Sequence, residues 1–173
     1  MATTATSRSE RIQASPQKIT TFLWFDKNAE EAINFYVSIF KNSKILNTTH
    51  YGDSGAGPKG TVMTIDFELD GQQFVALNGG PTFKFTEAIS LVVNCDTQQE
   101  VDYFWEKLSA DGGQTVECGW LKDKFGLSWQ IVPNILWEYF AEGDQAKNDR
   151  IMKAVMQMKK LEIEGLEKAA EGK

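Results

Sequence analysis

The chain carries the same helical pattern twice. Residues 28–40 read NAEEAINFYVSIF and residues 97–109 read TQQEVDYFWEKLS. Each segment begins with a good N-cap residue, and a glutamate follows three positions later at the spacing of a capping box. Apolar residues then recur at i, i+3, i+4 and i+7, which predicts a helix with one buried face. The apolar residues are Ala32, Phe35, Tyr36 and Ile39 in the first segment and Val101, Phe104, Trp105 and Leu108 in the second. Two copies of one module are therefore expected.

Strand-like runs surround both helices in the same order. One run precedes each helix, at 19–25 and at 87–95. Three runs follow the first helix, at 43–51, 60–69 and 71–77, and Asp70-Gly71 between the last two favours a hairpin. Two runs follow the second helix, at 113–120 and 125–134, so the second copy is slightly degraded. The pattern predicts an α+β fold of two paired βαβββ modules, each a curved sheet with one helix on its outer face.

The same patterns set the expected boundaries. Residues 1–17 are small and polar without an apolar run, which predicts a disordered lead rather than a secretion signal. The first module is expected at 18–80, the second at 81–134, and a helical extension at 135–173. Within the extension, Ile151, Val155, Met158 and Leu161 predict one long amphipathic helix over 147–168, packed on the domain or on a second subunit.

Charge and composition exclude several classes of partner. The net charge is −6, which opposes binding to phosphate backbones or to an anionic membrane surface. No stretch approaches the roughly 18 apolar residues of a membrane span. Two cysteines in 173 residues form no disulfide framework, so a reduced, cytoplasmic protein is expected. At this length roughly 70% of the unfolded chain's surface can be buried, so no metal is needed for stability.

Four segments resemble a known superfamily. They are FLWFDKNAEEAINFYVSIF, MTIDFELDGQQFVALNGGP, NCDTQQEVDYFWEKL and CGWLKDKFGLSWQIVP. They are similar to the vicinal oxygen chelate superfamily, which includes glyoxalase I, extradiol dioxygenases and bleomycin-resistance proteins. The similarity is greatest to its PhnB-like branch, labelled the 3-demethylubiquinone-9 3-methyltransferase family, and it covers about residues 18–160. The resemblance implies two modules side by side around a cleft, and often a homodimer.

The resemblance also locates the positions where metal-using members hold their ion. These members place one ligand on the first and fourth strands of each module. Carried over, the positions fall on Thr21, Ala76, Ala88 (or Ser90) and Gln130. A shift of two residues keeps the same strand face and would select Leu23, Asn78 or Ser128 instead. None of these side chains is a thiolate, imidazole or carboxylate, the ligands that divalent cations require. Neither a metal site nor a cofactor is therefore expected.

A neutral cleft of this kind predicts an organic ligand. The expected ligand-binding residues are Thr21, Leu23, Asp66, Ala76, Asn78, Ser90, Trp120, Ser128 and Gln130. Gln130 and Asn78 would orient the guest by hydrogen bonds, and Trp120 would stack on it from a loop. Asp66 is expected on the cleft side because its neighbours Ile65 and Phe67 should face the helix. Trp24, Trp105 and Trp129 are expected in the core. The preferred hypothesis is a metal-free protein that binds a small apolar or aromatic molecule between its modules.

Two alternatives stay open. One is an enzyme of the family labelled as a methyltransferase, or a glyoxalase- or dioxygenase-like enzyme acting on a quinone, phosphonate or dicarbonyl compound. The other is a dimeric scaffold without a ligand. The glycine-rich segment GDSGAGPKG, residues 52–60, is followed by a strand pattern, whereas a phosphate or nucleotide cradle needs a helix there. It therefore predicts a flexible connection or a lid over the cleft. Cys95 and Cys118 lack an adjacent base and are expected to be structural.

Overall fold

The computed structural model describes residues 17–173, so residues 1–16 of the predicted lead lie outside the described part of the chain. The chain divides into two compact units, one ending at Phe83 and the other beginning at Lys84. Within the described residues, no helix is both long enough and apolar enough to cross a membrane.

The first unit has the predicted βαβββ order. Its elements are β1 (Thr21–Phe25), α1 (Ala29–Ile39), β2 (Lys44–His50), β3 (Val62–Leu69) and β4 (Gln72–Asn78). The sheet order is β1-β4-β3-β2, with β1 parallel to β4 and the other pairs antiparallel. The apolar stripe of α1 packs on β3 and β4, where Ile65, Phe67 and Phe74 are buried. Burial of this stripe fixes which sheet face is core.

The start of α1 is held differently from expectation. Asn28 makes no side-chain cap. Instead, the Asn78 side-chain oxygen accepts the Ala29 N–H at 2.9 Å, which satisfies one of the orphan amides of the first turn. The cap is therefore supplied from β4, by a residue 49 positions away.

The second unit repeats the order and adds three helices. Its elements are β5 (Ser90–Cys95), α2 (Gln98–Ser109), a 3₁₀ turn (Ala110–Gly112), β6 (Gln114–Thr115), β7 (Trp120–Lys122), β8 (Ser128–Pro133), α3 (Asn134–Ala141), α4 (Gln145–Val155) and α5 (Ile163–Glu171). The sheet order is β5-β8-β7-β6, with β5 parallel to β8. Thr97 caps α2 as predicted, because its hydroxyl accepts the Glu100 N–H at 3.2 Å.

The predicted strand over 113–120 and the predicted helix over 147–168 are both interrupted, and the interruptions contact each other. Cys118 and Gly119 have φ of 62° and 80°, so the chain turns between β6 and β7. Their N–H groups donate to the carbonyls of Met158 and Lys159, each at 2.7 Å. A continuous helix would use those carbonyls itself, so the chain leaves helical geometry between α4 and α5. The helices enclose an apolar cluster of Val132, Leu136, Ile151, Val155, Leu161 and Leu166.

Candidate ligand-binding faces

The face of the first sheet that packs on α1 contains four residues expected in the ligand site, namely Thr21, Leu23, Ala76 and Asn78. Leu23 is 4% exposed and Ala76 is fully buried, and the register places them beside Ile65. The expectation that Leu23 and Ala76 line a cleft is therefore wrong, since both belong to the hydrophobic core. Thr21 lies two residues before Leu23, on the same strand face.

The opposite face of the first sheet joins apolar and polar residues. Phe22, Trp24, Val75 and Leu77 lie beside Asn47, Thr49, Thr64 and Asp66. The Asp66 carboxylate accepts a hydrogen bond from Asn47 at 3.2 Å, and it lies on the side away from α1 as predicted. Trp24 is half-buried here, so its assignment to the core is wrong. Its indole N–H donates to the Gly80 carbonyl at 2.8 Å.

Asn78 forms hydrogen bonds within its own unit through both its side chain and its backbone carbonyl. Besides the bond from Ala29, its side-chain amide donates to the Val62 carbonyl at 3.1 Å. Its backbone carbonyl accepts the Tyr51 hydroxyl at 2.6 Å. These bonds join α1, β3 and β4, and they give Asn78 a structural role in this unit.

The glycine-rich segment wraps around Tyr51. A Cβ at Gly55 or Gly57 would overlap the Tyr51 ring, so the segment depends on glycine for this close approach. The Tyr51 N–H donates to the Thr61 carbonyl at 2.9 Å, and the Gly60 N–H donates to the Tyr51 carbonyl at 2.8 Å. The expected flexible connection thus packs around the Tyr51 ring, and β3 rather than a helix follows it.

The face of the second sheet opposite α2 brings four predicted residues together. Ser90 pairs with Ser128, and Gln130 pairs with Trp120. Trp120 is the first residue of β7, so its placement on a loop is wrong. Val92 and Lys122 also belong to this face, through their pairing with Gln130 and Ser128. We call the six residues the Gln130 face: Ser90, Val92, Trp120, Lys122, Ser128 and Gln130. Lys122 could have been found by the period-two alternation from Trp120.

Hydrogen bonding on the Gln130 face is incomplete. The Gln130 amide donates to the Ser90 hydroxyl at 2.8 Å. The Ser128 side chain is 1% exposed, and its hydroxyl has no hydrogen-bond partner among the described residues. Lys122 forms an ion pair with Glu87, and this contact lowers the pKa of the Glu87 carboxyl. Buried polar groups are normally paired, so the Ser128 hydroxyl stands out.

The polar side-chain groups of the Gln130 face do not form a metal site. They include two hydroxyls, an amide and an ammonium group. Nowhere in residues 17–173 do three or more His, Cys, Asp or Glu side chains form a group that could hold an ion. His50 is exposed on β2. The chemistry that the Gln130 face offers is hydrogen bonding and charge pairing beside an indole.

Asp123 determines how the chain enters β8. Its carboxylate is 3% exposed. It accepts hydrogen bonds from the amides of Phe125 at 2.8 Å and Leu127 at 3.1 Å, and from the Trp129 indole at 2.8 Å. Asp123 thus closes the turn that leads into β8, and Trp129 is buried as predicted. Trp105, by contrast, is only half-buried.

The two cysteines have different surroundings. Burial raises the pKa of the Cys95 thiol to about 12, with a further contribution from the charges of Glu100 and Asp96. Cys118 is partly exposed, and its sulfur lies 3.5 Å from the Met156 sulfur. Among the residues that the structure describes, no base is hydrogen-bonded to either sulfur, so these residues provide no activated nucleophile at the two positions.

Several known proteins are similar to this chain. The PhnB protein of Bacillus cereus is 41% identical, in an alignment that covers 68% of this chain and 99% of that one, with a TM-score of 0.62. A Staphylococcus aureus protein is 34% identical and covers 66% and 94% of the two chains, with a TM-score of 0.31. A Pseudomonas aeruginosa protein at 20% identity covers 68% and 97%, and its TM-score of 0.57 indicates the same fold. No curated protein matches the chain.

The family assignment rests on a match over most of the chain. Residues 17–132 match the family described as 3-demethylubiquinone-9 3-methyltransferase. The match spans both βαβββ modules and ends within β8. Together with the Bacillus relative, it confirms the resemblance carried by the four sequence segments. The chain belongs to the 3-demethylubiquinone-9 3-methyltransferase family, the PhnB-like branch of the vicinal oxygen chelate superfamily.

Proposed function

We propose that this protein binds a small, largely apolar or aromatic organic molecule, and that the Gln130 face forms the polar part of its binding site. The observation that carries the proposal is the buried hydroxyl of Ser128, which has no hydrogen-bond partner within residues 17–173. A buried polar group without a partner costs about 1–3 kcal/mol. A ligand acceptor placed beside Ser128 would recover that free energy on binding.

The composition of the face supports this role. Val92 is 42% exposed, and the half-buried Trp120 offers a flat ring next to Gln130. Ligand sites typically combine apolar and aromatic walls with a few polar groups that set orientation. An indole can stack on a planar guest while the amide binds its edge. These features favour an aromatic molecule with at least one polar group.

We propose further that binding needs no divalent metal. Divalent cations require several convergent anionic or imidazole donors, whereas the Gln130 face offers hydroxyls, an amide and an ammonium group. Dialysis against EDTA should therefore leave ligand affinity unchanged. A loss of affinity that added Zn²⁺, Mn²⁺ or Fe²⁺ restores would contradict this part of the proposal.

A thermal-shift screen with aromatic fragments tests the binding function. We expect hits whose stabilisation falls at least severalfold in Gln130→Ala, because the amide is the central polar group of the face. Gln72→Ala is the matched control, since it removes an exposed amide from β4 in the other unit. No hit in the screen, or hits that Gln130→Ala and Gln72→Ala affect equally, would overturn the proposal.

Methyl transfer is a second candidate, because the family's description names that activity. The glycine-rich segment does not fit a cradle for S-adenosylmethionine, since it packs on Tyr51 and leads into β3 rather than a helix. Isothermal titration with S-adenosylmethionine separates the two functions. Saturable binding of this cofactor would favour methyl transfer, and no heat of binding would favour the ligand-binding function.

We also propose a cytoplasmic homodimer. Both cysteines are free, which suits a reducing compartment. The edge strand β2 exposes Ile45 and Leu46, and a second copy of the chain could cover them. Light scattering at micromolar concentration should give twice the chain mass. Ile45→Lys should give a monomer if this edge forms the interface.

A further inference from the structure

The ion pair on the Gln130 face extends across β8. Lys122 lies on β7, and Glu87 lies three residues before Ser90, the first residue of β5. Since β8 separates β7 from β5 and neighbouring strands are about 4.8 Å apart, the pair bridges roughly 10 Å of sheet. Ser128 is the β8 residue in register with both Lys122 and Ser90. Ser128 therefore lies on the strand between Lys122 and the segment that carries Glu87.

The two residues of the ion pair differ in exposure and in the element that carries them. The Lys122 side chain is 29% exposed, whereas the Glu87 side chain is 64% exposed. Lys122 rises from the middle strands of the sheet, but Glu87 belongs to the turn that precedes β5. An exposed ion pair contributes little to stability. Glu87 is thus a counterion that another carboxylate can replace, while Lys122 stays in place.

We propose that Lys122 and Ser128 together bind the carboxylate of the organic ligand, which displaces Glu87 from Lys122. The inference rests on the proposed binding function and names the class of ligand, an apolar or aromatic carboxylic acid. In the free protein Glu87 forms the ion pair with Lys122, and in the complex the ligand carboxylate takes its place.

The chemistry of the two groups supports a carboxylate. The ammonium of Lys122 and the hydroxyl of Ser128 are both donors, and an ionised carboxylate only accepts. Hydrogen bonds to a charged acceptor are stronger than neutral ones. The exchange also keeps the Lys122 charge paired throughout, which avoids the cost of an uncompensated, partly buried charge. Val92 and Trp120 then meet the apolar part of the acid.

The test uses aromatic fragments, each as a carboxylate and as its primary amide, with affinities measured by ligand-observed NMR. Wild-type protein should prefer the carboxylates. Glu87→Gln should tighten carboxylate binding about twofold to fivefold by removing the competitor. Lys122→Met should weaken it about tenfold. Ser128→Ala should weaken it severalfold while the melting temperature stays equal or rises, since the hydroxyl is unpaired without ligand. Amide affinities should not respond to the charge changes.

Glu164→Gln and Lys168→Met are the matched controls, because each breaks an exposed Lys–Glu ion pair on α5. They should leave both fragment series unchanged. If no fragment of either kind binds, the proposed function fails and this inference fails with it. If fragments bind without preferring the carboxylate, or if the preference survives Lys122→Met, the binding function stands and the carboxylate site is wrong.

Discussion

At the scale of single residues, Asp123 does most to position the candidate site. Its buried carboxylate closes the turn before β8 by accepting two backbone amides and the Trp129 indole N–H. That turn sets where Ser128 and Gln130 enter the sheet. An Asp or Asn in a loop often bonds backbone amides two residues further along, so the sequence indicated a turn. It did not indicate that the carboxylate would be buried or bonded to an indole.

Asp123→Ala should lower the free energy of unfolding by about 3 kcal/mol, since it leaves three buried or half-buried donors without their acceptor. Urea unfolding followed by Trp fluorescence measures the change. Asp53→Ala is the control, because Asp53 is exposed in a surface pair with Lys59 and should cost less than about 1 kcal/mol. Equal losses in the two variants would contradict the structural role of Asp123.

The two thiols should differ in reactivity. With a pKa of about 12, Cys95 is almost entirely protonated at pH 8, and burial also shields it. Native protein treated with a thiol reagent at pH 8 should therefore show one fast and one slow group. The fast group should disappear in Cys118→Ser and remain in Cys95→Ser. Two groups with the same rate would show that Cys95 is not protected.

At the scale of elements, β1 and β8 show why the buried face of a strand can be predicted in one case and not in another. Residues 22–25 of β1 are all apolar, so period-two alternation does not select the buried face. The positions carried over from the family resemblance, Thr21 and Ala76, and the shifted alternative Leu23 therefore fell on the face that packs on α1. In β8, polar Ser128 and Gln130 alternate with Trp129 and Ile131, and the predicted core position of Trp129 is confirmed.

The segment between β2 and β3 gives an element-scale prediction. Gly57→Ala should destabilise the protein by about 1–3 kcal/mol, because the added methyl group would overlap the Tyr51 ring. Gly52→Ala is the matched control in the same segment, since among the described residues other than its chain neighbours no atom lies within 4 Å of its added Cβ. Thermal unfolding measures the stability of both variants, and limited proteolysis measures how readily the segment is cleaved. A neutral Gly57→Ala would show that the segment does not depend on this packing.

At the scale of the whole molecule, the helices α3 to α5 lie beyond the residues that match the family. They share an apolar cluster with Val132, the residue at which the family match ends. They also hold the turn at Cys118 and Gly119 through the carbonyls of Met158 and Lys159. The extension is thus part of the second unit, and it supports the strand that begins at Trp120.

Leu166→Ala should test this dependence. Leu166 is fully buried in the cluster, and its truncation should cost about 2–5 kcal/mol. Hydrogen exchange should accelerate in α4 and α5 and also at the Cys118 and Gly119 amides. Glu164→Gln on the exposed side of α5 should change neither stability nor exchange. Unchanged exchange at the two turn amides in Leu166→Ala would mean that the extension does not support the turn.

The sequence by itself determined the duplicated βαβββ order, the helices α1 and α2, and the family. Apolar periodicity, capping and turn residues act within a dozen neighbouring positions, so a linear pattern is enough to read them. Only the tertiary structure decided the buried face of β1, the break between α4 and α5, and the ion pair between Lys122 and Glu87. Each of these depends on groups far apart in the chain, such as Cys118 and Met158, whose contact exists only after the sheet and helices have packed.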